Sequence, residues 1–128
     1  MNTNIRITNG KVIYPKLSYK ITGILFDIHN ELGRFCKEKQ YQDFFEKKLK
    51  EEEIDYEREK DLPISSDISG NRVDFFVENK ILIEFKVKRI LLKEDYYQMK
   101  RYLKATKMKL GLLVNFRDKY LKPRRILN

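Results

Sequence analysis

The stretch from Arg72 to Val87 constrains the fold most, because apolar residues recur at every second position through two successive segments. This alternation is typical of a β-strand with one buried face. The alternating apolar residues are Val73, Phe75 and Val77 in the first segment, and Ile81, Ile83, Phe85 and Val87 in the second. The stretch therefore predicts two neighbouring strands.

A loop over Glu78 to Lys80 would join these strands into a hairpin. With a loop of that length, the apolar side chains of both strands share one face, and a shared apolar face is what fixes the register of a strand pair. The predicted cross-strand pairs are Val77 with Ile81, Phe75 with Ile83, and Val73 with Phe85.

The same register places Asp74 directly opposite Glu84, with Lys86 two residues further along the same face. Directly opposed Cβ atoms lie roughly 4.5–5.5 Å apart, and like charges at that separation destabilise a sheet. A divalent cation between the acids would make the arrangement favourable, because hard cations take oxygen ligands. The alternative is a half-exposed face on which Glu84 and Lys86 are simply solvated.

The amino-acid composition limits the classes of partner that the chain is expected to bind. The 128 residues include 28 basic and 19 acidic side chains, for a formal charge of +9. This excess favours polyanions, nucleic acid before acidic membranes. Cys36 is the only cysteine, which excludes an internal disulfide and a cysteine-based metal site. No apolar run approaches the roughly 20 residues of a membrane span, and Met1 to Gly10 lacks the apolar region of a signal peptide. We expect a cytoplasmic protein.

The rest of the chain predicts a tail over residues 1–16 and a single domain over 17–128. Ser18 is the predicted N-cap of a first helix that ends at Gly33. The elements predicted after it are a helix over Lys37–Glu53, a strand over Ile54–Ile64, the hairpin, a helix over Lys93–Ala105, a buried strand over Lys109–Asn115 and an edge strand over Arg124–Leu127. This α-α-β-β-β-α-β order, to which the edge strand adds an eighth element, predicts an α/β fold, with a mixed sheet flanked by helices.

Two polar helical residues need an interpretation. His29, the only histidine, lies beside the apolar stripe of the first helix, and nothing near it suggests a catalytic triad, so we expect a packing or surface role. Glu38 heads an inward-facing stripe of the second helix. The helix macrodipole favours an acid there, and the same position could aim its carboxylate at the hairpin acids.

The order of elements, together with Asp74 and the sequence Glu84-Phe85-Lys86, resembles the PD-(D/E)xK nuclease superfamily, and within it the small GxxExxY-type, RecB-like proteins. The resemblance covers about Leu17 to Leu127 and implies a restriction-endonuclease-like fold. The supporting stretches are Asp27–Gly33, Glu38–Tyr41, Gln98–Thr106 and Gly111–Phe116. Two positions depart from the family pattern: Phe35 aligns with the glycine of the GxxExxY motif, and Val73 replaces the proline of PD.

The resemblance implies a nuclease that hydrolyses phosphodiester bonds in DNA, in preference to RNA, with Mg²⁺ or Mn²⁺. Asp74 and Glu84 would be metal ligands, and the backbone carbonyl of Phe85 is a candidate third ligand. Lys86 would position or activate the attacking water, or stabilise charge in the transition state. Glu38 would act from the helix, through a water or a second metal.

Gln98 and Tyr102 resemble the Qxxx(Y/R) helix motif of RecB-like nucleases, which orients groups near the metal or touches the nucleic-acid backbone. For Tyr102, packing on the sheet is an equal alternative. Six basic residues that flank the proposed site in sequence are candidate nucleic-acid contacts: Lys88, Arg89, Lys93, Lys100, Arg101 and Lys104.

Two other classes of function stay open. A non-catalytic nucleic-acid-binding module on the same fold would explain the charge and the departures at Phe35 and Val73. An interaction protein would instead use exposed aromatic residues, drawn from Tyr56, Phe76, Tyr96, Tyr97 and Tyr120. A homodimer is compatible with the nuclease hypothesis, because many nucleases of this type pair to cut two strands.

Overall fold

The computed structural model of the chain describes residues 7–8, 11–63 and 71–128, and within these ranges it contains three helices and two sheets. The elements are β1 (Ile7–Thr8), β2 (Lys11–Val12), α1 (Pro15–Leu32), α2 (Glu38–Glu51), β3 (Tyr56–Asp61), β4 (Arg72–Val77), β5 (Ile81–Lys86), α3 (Lys93–Thr106), β6 (Leu110–Asn115) and β7 (Arg124–Leu127).

The main sheet has five strands in the order β3-β4-β5-β6-β7. Its neighbours are antiparallel except β5 and β6, which run parallel. A parallel pair needs a crossover that returns the chain to the same end of the sheet, and α3 supplies it. β1 and β2 form a separate antiparallel pair. The mixed sheet, with its helices, confirms the predicted α/β fold.

Helices cover both faces of the sheet. α1 and α2 pack with one set of sheet residues, which includes Phe75, Ile83 and Phe85, whereas α3 packs with a second set, which includes Leu82 and Leu113. Every residue of β6 is buried, as expected for a strand covered on both faces. Within the described ranges, no helix combines the length and apolarity that crossing a membrane requires.

The start of α1 differs from the prediction. The helix begins at Pro15, and Tyr14 occupies the N-cap position. Proline is favoured at the first helical position because its fixed φ suits the helix and its missing N–H would lack a partner there. Ser18 therefore lies inside the helix, where its buried hydroxyl accepts a hydrogen bond from the guanidinium of Arg125. Its predicted capping role was wrong, while the end of the helix at Gly33 is confirmed.

The strand before the hairpin is shorter than predicted. β3 covers Tyr56–Asp61 instead of Ile54–Ile64, whose last residue lies outside the described ranges, as does most of the predicted turn over Ser65–Asn71. Val73 packs with the apolar residues on the α3 side of the sheet, not with Phe75 and Val77 as its alternation predicted. The cause lies at the neighbouring residue, Asp74, where the sheet ladder is interrupted. We call the apolar group on the α3 side the α3 cluster; its buried members are Leu62, Val73, Leu82, Met99, Tyr102, Leu103, Leu113 and Ile126.

Candidate active site

The β4–β5 hairpin has the predicted register near its turn. Val77 pairs with Ile81 and Phe75 with Ile83, and the N–H of Lys80 donates to the carbonyl of Val77 at 2.9 Å. The ladder then stops, so the predicted pairing of Val73 with Phe85 does not form. The two strands thus separate just where Asp74 and Glu84 follow.

Side chains replace the missing ladder bonds at this point. The backbone N–H of Asp74 donates to Glu84 Oε1 at 2.9 Å, and the N–H of Phe85 donates to Asp74 Oδ2 at 2.7 Å. Each strand is therefore held by a carboxylate of the other. We call Asp74 and Glu84 the carboxylate pair. The exchange brings the two acids together, as the register argument predicted, but through backbone amides and not by direct ladder pairing.

Burial dominates the electrostatics of the carboxylate pair. Glu84 is only 5% exposed, and burial, reinforced by the charge of Asp74, raises the pKa of Glu84 to about 8. Burial likewise raises the pKa of Asp74 to about 6, although the N–H of Phe85 acts in the opposite direction. Two charged carboxylates are costly in this position, because desolvation and mutual repulsion both favour the protonated forms. A nearby positive charge acts against that preference.

Lys86 brings such a charge to the pair. Its ammonium lies 3.8 Å from Glu84 Oε2, 3.7 Å from Asp95 Oδ1 and 3.2 Å from Gln98 Oε1, to which it donates a hydrogen bond. Lys86 comes from the end of β5, and both Gln98 and Asp95 come from α3. The sheet and the crossover helix together fix the position of the ammonium.

Glu38 reaches the same region from the opposite face of the sheet. It is the first residue of α2, half-buried, and accepts a hydrogen bond from Gln42 Nε2 at 3.1 Å. Burial raises the pKa of Glu38, and the ammonium of Lys86 lowers it; the charge of Glu38 in turn raises the pKa of Asp74. The charge of Glu38 therefore influences the carboxylate pair and Lys86, but in the described part of the chain no salt bridge joins Glu38 to the site.

Tyr102 packs in the α3 cluster and is buried. Burial, with the charge of Glu84 added, raises its pKa to about 12, so the phenol stays protonated at neutral pH, and its hydrogen bond with Gln98 has the opposite, smaller effect. Tyr102 therefore packs on the sheet and also lies beside the candidate site. The i,i+4 spacing of Gln98 and Tyr102 puts one helical stripe against Lys86 and Glu84.

Asp95 is a site residue that the sequence prediction missed. It is buried at the start of α3, where Oδ2 accepts the N–H of Leu92 at 2.7 Å and contacts Lys88 Nζ at 3.0 Å. Burial alone would raise the pKa of Asp95, but the N–H of Leu92 and the ammonium of Lys88 outweigh it, and the pKa lies below its usual value. An acid in the first turn of a predicted helix is the available sequence signal.

The candidate nucleic-acid contacts are not equivalent. Lys88 is engaged with Asp95, and Lys100 donates to the carbonyl of Leu127 at 2.9 Å. The other four are exposed: Arg89, Lys93, Arg101 and Lys104.

Other polar and aromatic predictions fall outside the site. His29 Nε2 lies 2.8 Å from the carbonyl of Asp118, a structural contact of the expected kind. Of the five aromatic residues considered for an interface, Tyr97 and Tyr120 are exposed, whereas the remaining three are half-buried: Tyr56, Phe76 and Tyr96.

The oxygen donors at the site suit a hard divalent cation. No three histidine, cysteine, aspartate or glutamate side chains in residues 7–8, 11–63 and 71–128 form a ready-made metal cluster. The available donors are the carboxylate pair and the Phe85 carbonyl. Mg²⁺ accepts such a sparse set, because it keeps several waters and needs only one or two protein carboxylates.

The element order, the single parallel strand pair and its helical crossover define a restriction-endonuclease-like α/β domain. A family model described as the PD-(D/E)XK nuclease superfamily matches residues 15–126, a range that includes all three described helices and all but the last residue of the five-stranded sheet. The chain therefore belongs to the PD-(D/E)XK nuclease superfamily. Searches of curated proteins and of solved structures found no match.

Proposed function

We propose that this protein is a metal-dependent nuclease that hydrolyses phosphodiester bonds in DNA, with RNA the less favoured substrate. The exchange of hydrogen bonds between the carboxylate pair and the facing backbone amides carries the proposal, because it keeps the buried Glu84 and the half-buried Asp74 together beside Lys86. Two ionised carboxylates at this position are electrostatically unfavourable without a ligand, and a bound cation would stabilise them. Membership of the superfamily supports the reaction class.

Asp74, Glu84 and the Phe85 carbonyl would hold Mg²⁺ or Mn²⁺, with Glu38 acting through a water or a second ion. When bound, the ion supplies a lowered pKa for water and an offset to the charge of the phosphate. The raised pKa values of Asp74 and Glu84 favour this role, because a cation stabilises the carboxylate forms that burial disfavours.

The chain's own groups supply position and charge. The ammonium of Lys86 is a point charge that can face a phosphate oxygen, and Gln98 and Asp95 hold it in place. Glu38, whose pKa is raised by burial, can exchange a proton nearer neutral pH than an exposed glutamate. Tyr102 positions Gln98 and closes the site on the α3 side. The net charge of +9 favours binding of the substrate polyanion.

A digestion panel tests the proposal. Plasmid, duplex, single-stranded and branched DNA, and RNA, are incubated with Mg²⁺, with Mn²⁺ or with a chelator. We expect cleavage that needs the metal and falls by about 100-fold or more in Lys86→Ala and Glu84→Gln, the scale at which loss of one preorganised charge or hydrogen-bonding group reduces turnover.

Lys47→Ala is the matched control, because it removes one lysine charge from an exposed position in α2. It should cleave like the parent protein, and thermal melts should show all variants folded. Cleavage of none of the substrates by folded protein would count against the proposal, as would full activity of Lys86→Ala.

The second candidate is a non-catalytic nucleic-acid-binding module. The exposed Phe35, which stands where the family motif has glycine, favours it. Such a module predicts salt-sensitive binding to the same substrates without turnover.

A further inference from the structure

Two arginines and a phenylalanine form a second unusual group, which we call the Arg–Phe cluster: Arg34, Phe35 and Arg117. Arg34 Nε donates to the carbonyl of Arg117 at 2.9 Å, and Arg117 Nε donates to the carbonyl of Arg34 at 3.1 Å. The two guanidinium carbons lie 4.8 Å and 5.5 Å from the centroid of the Phe35 ring. Two distant loops are thus joined through paired cations around one aromatic ring.

Burial and ion pairing do not explain this cluster. Phe35 is 75% exposed, so it contributes little burial. The two cations repel each other, and within the described ranges neither forms a salt bridge. Among the described residues, each arginine donates a hydrogen bond only from its Nε, so the terminal nitrogens of both guanidinium groups are available to an external acceptor.

The loop that carries Phe35 is held in place. The hydroxyl of Tyr41 donates to the carbonyl of Gly33 at 2.6 Å and accepts the N–H of Cys36 at 3.1 Å. The Tyr41 ring stacks on Phe116, with centroids 4.2 Å apart. Because this arrangement spans both loops, the cluster is preorganised, and a ligand would not have to order it.

The cluster lies at the same end of the sheet as the candidate active site. Lys86 pairs with Asn115 across β5 and β6, and the N–H of Phe116 donates to the carbonyl of Lys86 at 2.9 Å, directly before Arg117. On the other loop, Phe35 precedes Glu38 by three residues. A nucleic-acid strand that passes the carboxylate pair therefore meets the end of the sheet at which the cluster lies.

We propose that the Arg–Phe cluster binds a single-stranded segment of nucleic acid next to the candidate active site. The two guanidinium groups take phosphodiester oxygens, for which their fork geometry is suited, and an unpaired base stacks on Phe35, as bases stack on aromatic side chains in single-strand-binding proteins. A duplex offers the same phosphates but keeps its bases stacked inside. The proposal rests on the proposed function and deepens it, since it names an unpaired strand as substrate.

Binding is measured by fluorescence anisotropy with a short single-stranded oligonucleotide in chelator, over a series of salt concentrations. Phe35→Leu should weaken binding by about 5- to 100-fold, the range for one base stacked on an aromatic residue, and should leave the salt dependence unchanged. The double variant Arg34→Gln/Arg117→Gln should reduce the slope of log K against log salt by about 1.4, since each phosphate contact on a single strand contributes about 0.7.

Lys47→Gln/Lys50→Gln, which removes two charges from exposed positions in α2, is the charge-matched control for the double arginine variant, and it should change neither affinity nor slope. Phe35→Leu guards against misfolding as an explanation, because an exposed ring contributes little to stability and thermal melts can verify it. An abasic oligonucleotide of equal length distinguishes the contribution of the bases to binding from that of the phosphates. It should bind the parent protein about as weakly as the normal oligonucleotide binds Phe35→Leu, and Phe35→Leu should weaken it no further.

Parent-like affinity of Phe35→Leu for the normal oligonucleotide would overturn the inference, as would an unchanged slope in the double arginine variant. These results are distinguishable from failure of the proposed function. Cluster-dependent binding without cleavage would leave the inference intact and remove the nuclease proposal, whereas cleavage by a protein whose cluster variants bind normally would do the reverse.

Discussion

At the scale of single residues, the carboxylate pair has the most strongly raised pKa values among the described acids. Glu84 is almost fully buried, and its stabilising contacts in the protein are one backbone N–H from Asp74 and the ammonium of Lys86 at 3.8 Å. These contacts do not offset the desolvation of a carboxylate and the charge of a neighbouring acid, so the protonated form is favoured. The pair therefore carries an electrostatic cost that grows as each group ionises.

This cost predicts a pH dependence of stability. The folded pKa values, about 6 for Asp74 and about 8 for Glu84, lie above the value of about 4 expected for unfolded carboxyls. Between these values the folded state binds more protons than the unfolded state, so the free energy of unfolding falls as pH rises from about 4 to about 8. In chelator, urea titrations at several pH values should show a fall on the order of a few kcal/mol.

Glu84→Gln should remove most of that fall, because the amide does not ionise. Glu51→Gln, at an exposed position at the end of α2, is the matched control and should keep it. A flat profile for the parent protein, or an equally steep one in Glu84→Gln, would mean that the buried pair does not control the pH dependence.

At the scale of elements, α1 offers two glycines that should respond oppositely to one substitution. Gly33 ends the helix with φ 78° and ψ −163°, a region that is essentially limited to glycine, and forcing alanine into it costs about 1–3 kcal/mol. Gly23 lies exposed within the helix, where alanine is favoured by roughly 0.5–1 kcal/mol. An added Cβ meets no atom within 4 Å at either position.

Thermal and denaturant unfolding should therefore show Gly33→Ala less stable and Gly23→Ala more stable than the parent protein. Because the chemical change is identical and neither site has a steric neighbour, only backbone conformation separates the two outcomes. Changes of the same sign would contradict the assigned end of α1.

The helices and strands also show which parts of the fold could be predicted from the sequence. Alternation predicted the β4–β5 register correctly near the turn, because one buried face fixes the pairing of a strand. It failed at Val73, because neighbouring Asp74 leaves the ladder toward both adjacent strands, beside Glu59 with its positive φ of 53°. That interruption depends on side-chain-to-backbone hydrogen bonds between strands, which a periodic pattern does not encode.

The start of a helix and the contacts between side chains were also hard to predict from a periodic pattern. The sequence offered two possible starts for α1, and the helix begins at Pro15 instead of being capped by Ser18. The sequence did not indicate Asp95 as a site residue, because its role depends on contacts with the ammonium groups of Lys86 and Lys88 that form only in the folded chain. Residue types and their spacing indicated the carboxylate pair, while the groups that hold Lys86 required the packing of α3 on the sheet.

At the scale of the whole molecule, the candidate site draws on both layers of helices. α2 supplies Glu38 from one face, α3 supplies Gln98 and Asp95 from the other, and the hairpin supplies the carboxylate pair and Lys86. No single element contains the site, so it exists only when the sheet and both layers are in place. A ligand that binds it should therefore stabilise the entire fold against unfolding.

This coupling predicts that Mg²⁺ or Mn²⁺ raises the unfolding temperature. A cation at 100 times its dissociation constant adds about 2.7 kcal/mol, which corresponds to several degrees for a domain of this size. The increase should be larger at pH 8 than at pH 5, because at pH 5 the cation must displace the protons that Asp74 and Glu84 retain. Scanning calorimetry with a metal titration measures it. Glu84→Gln should lose most of the increase and Glu51→Gln should retain it, whereas equal increases in both variants would place the cation elsewhere on the protein.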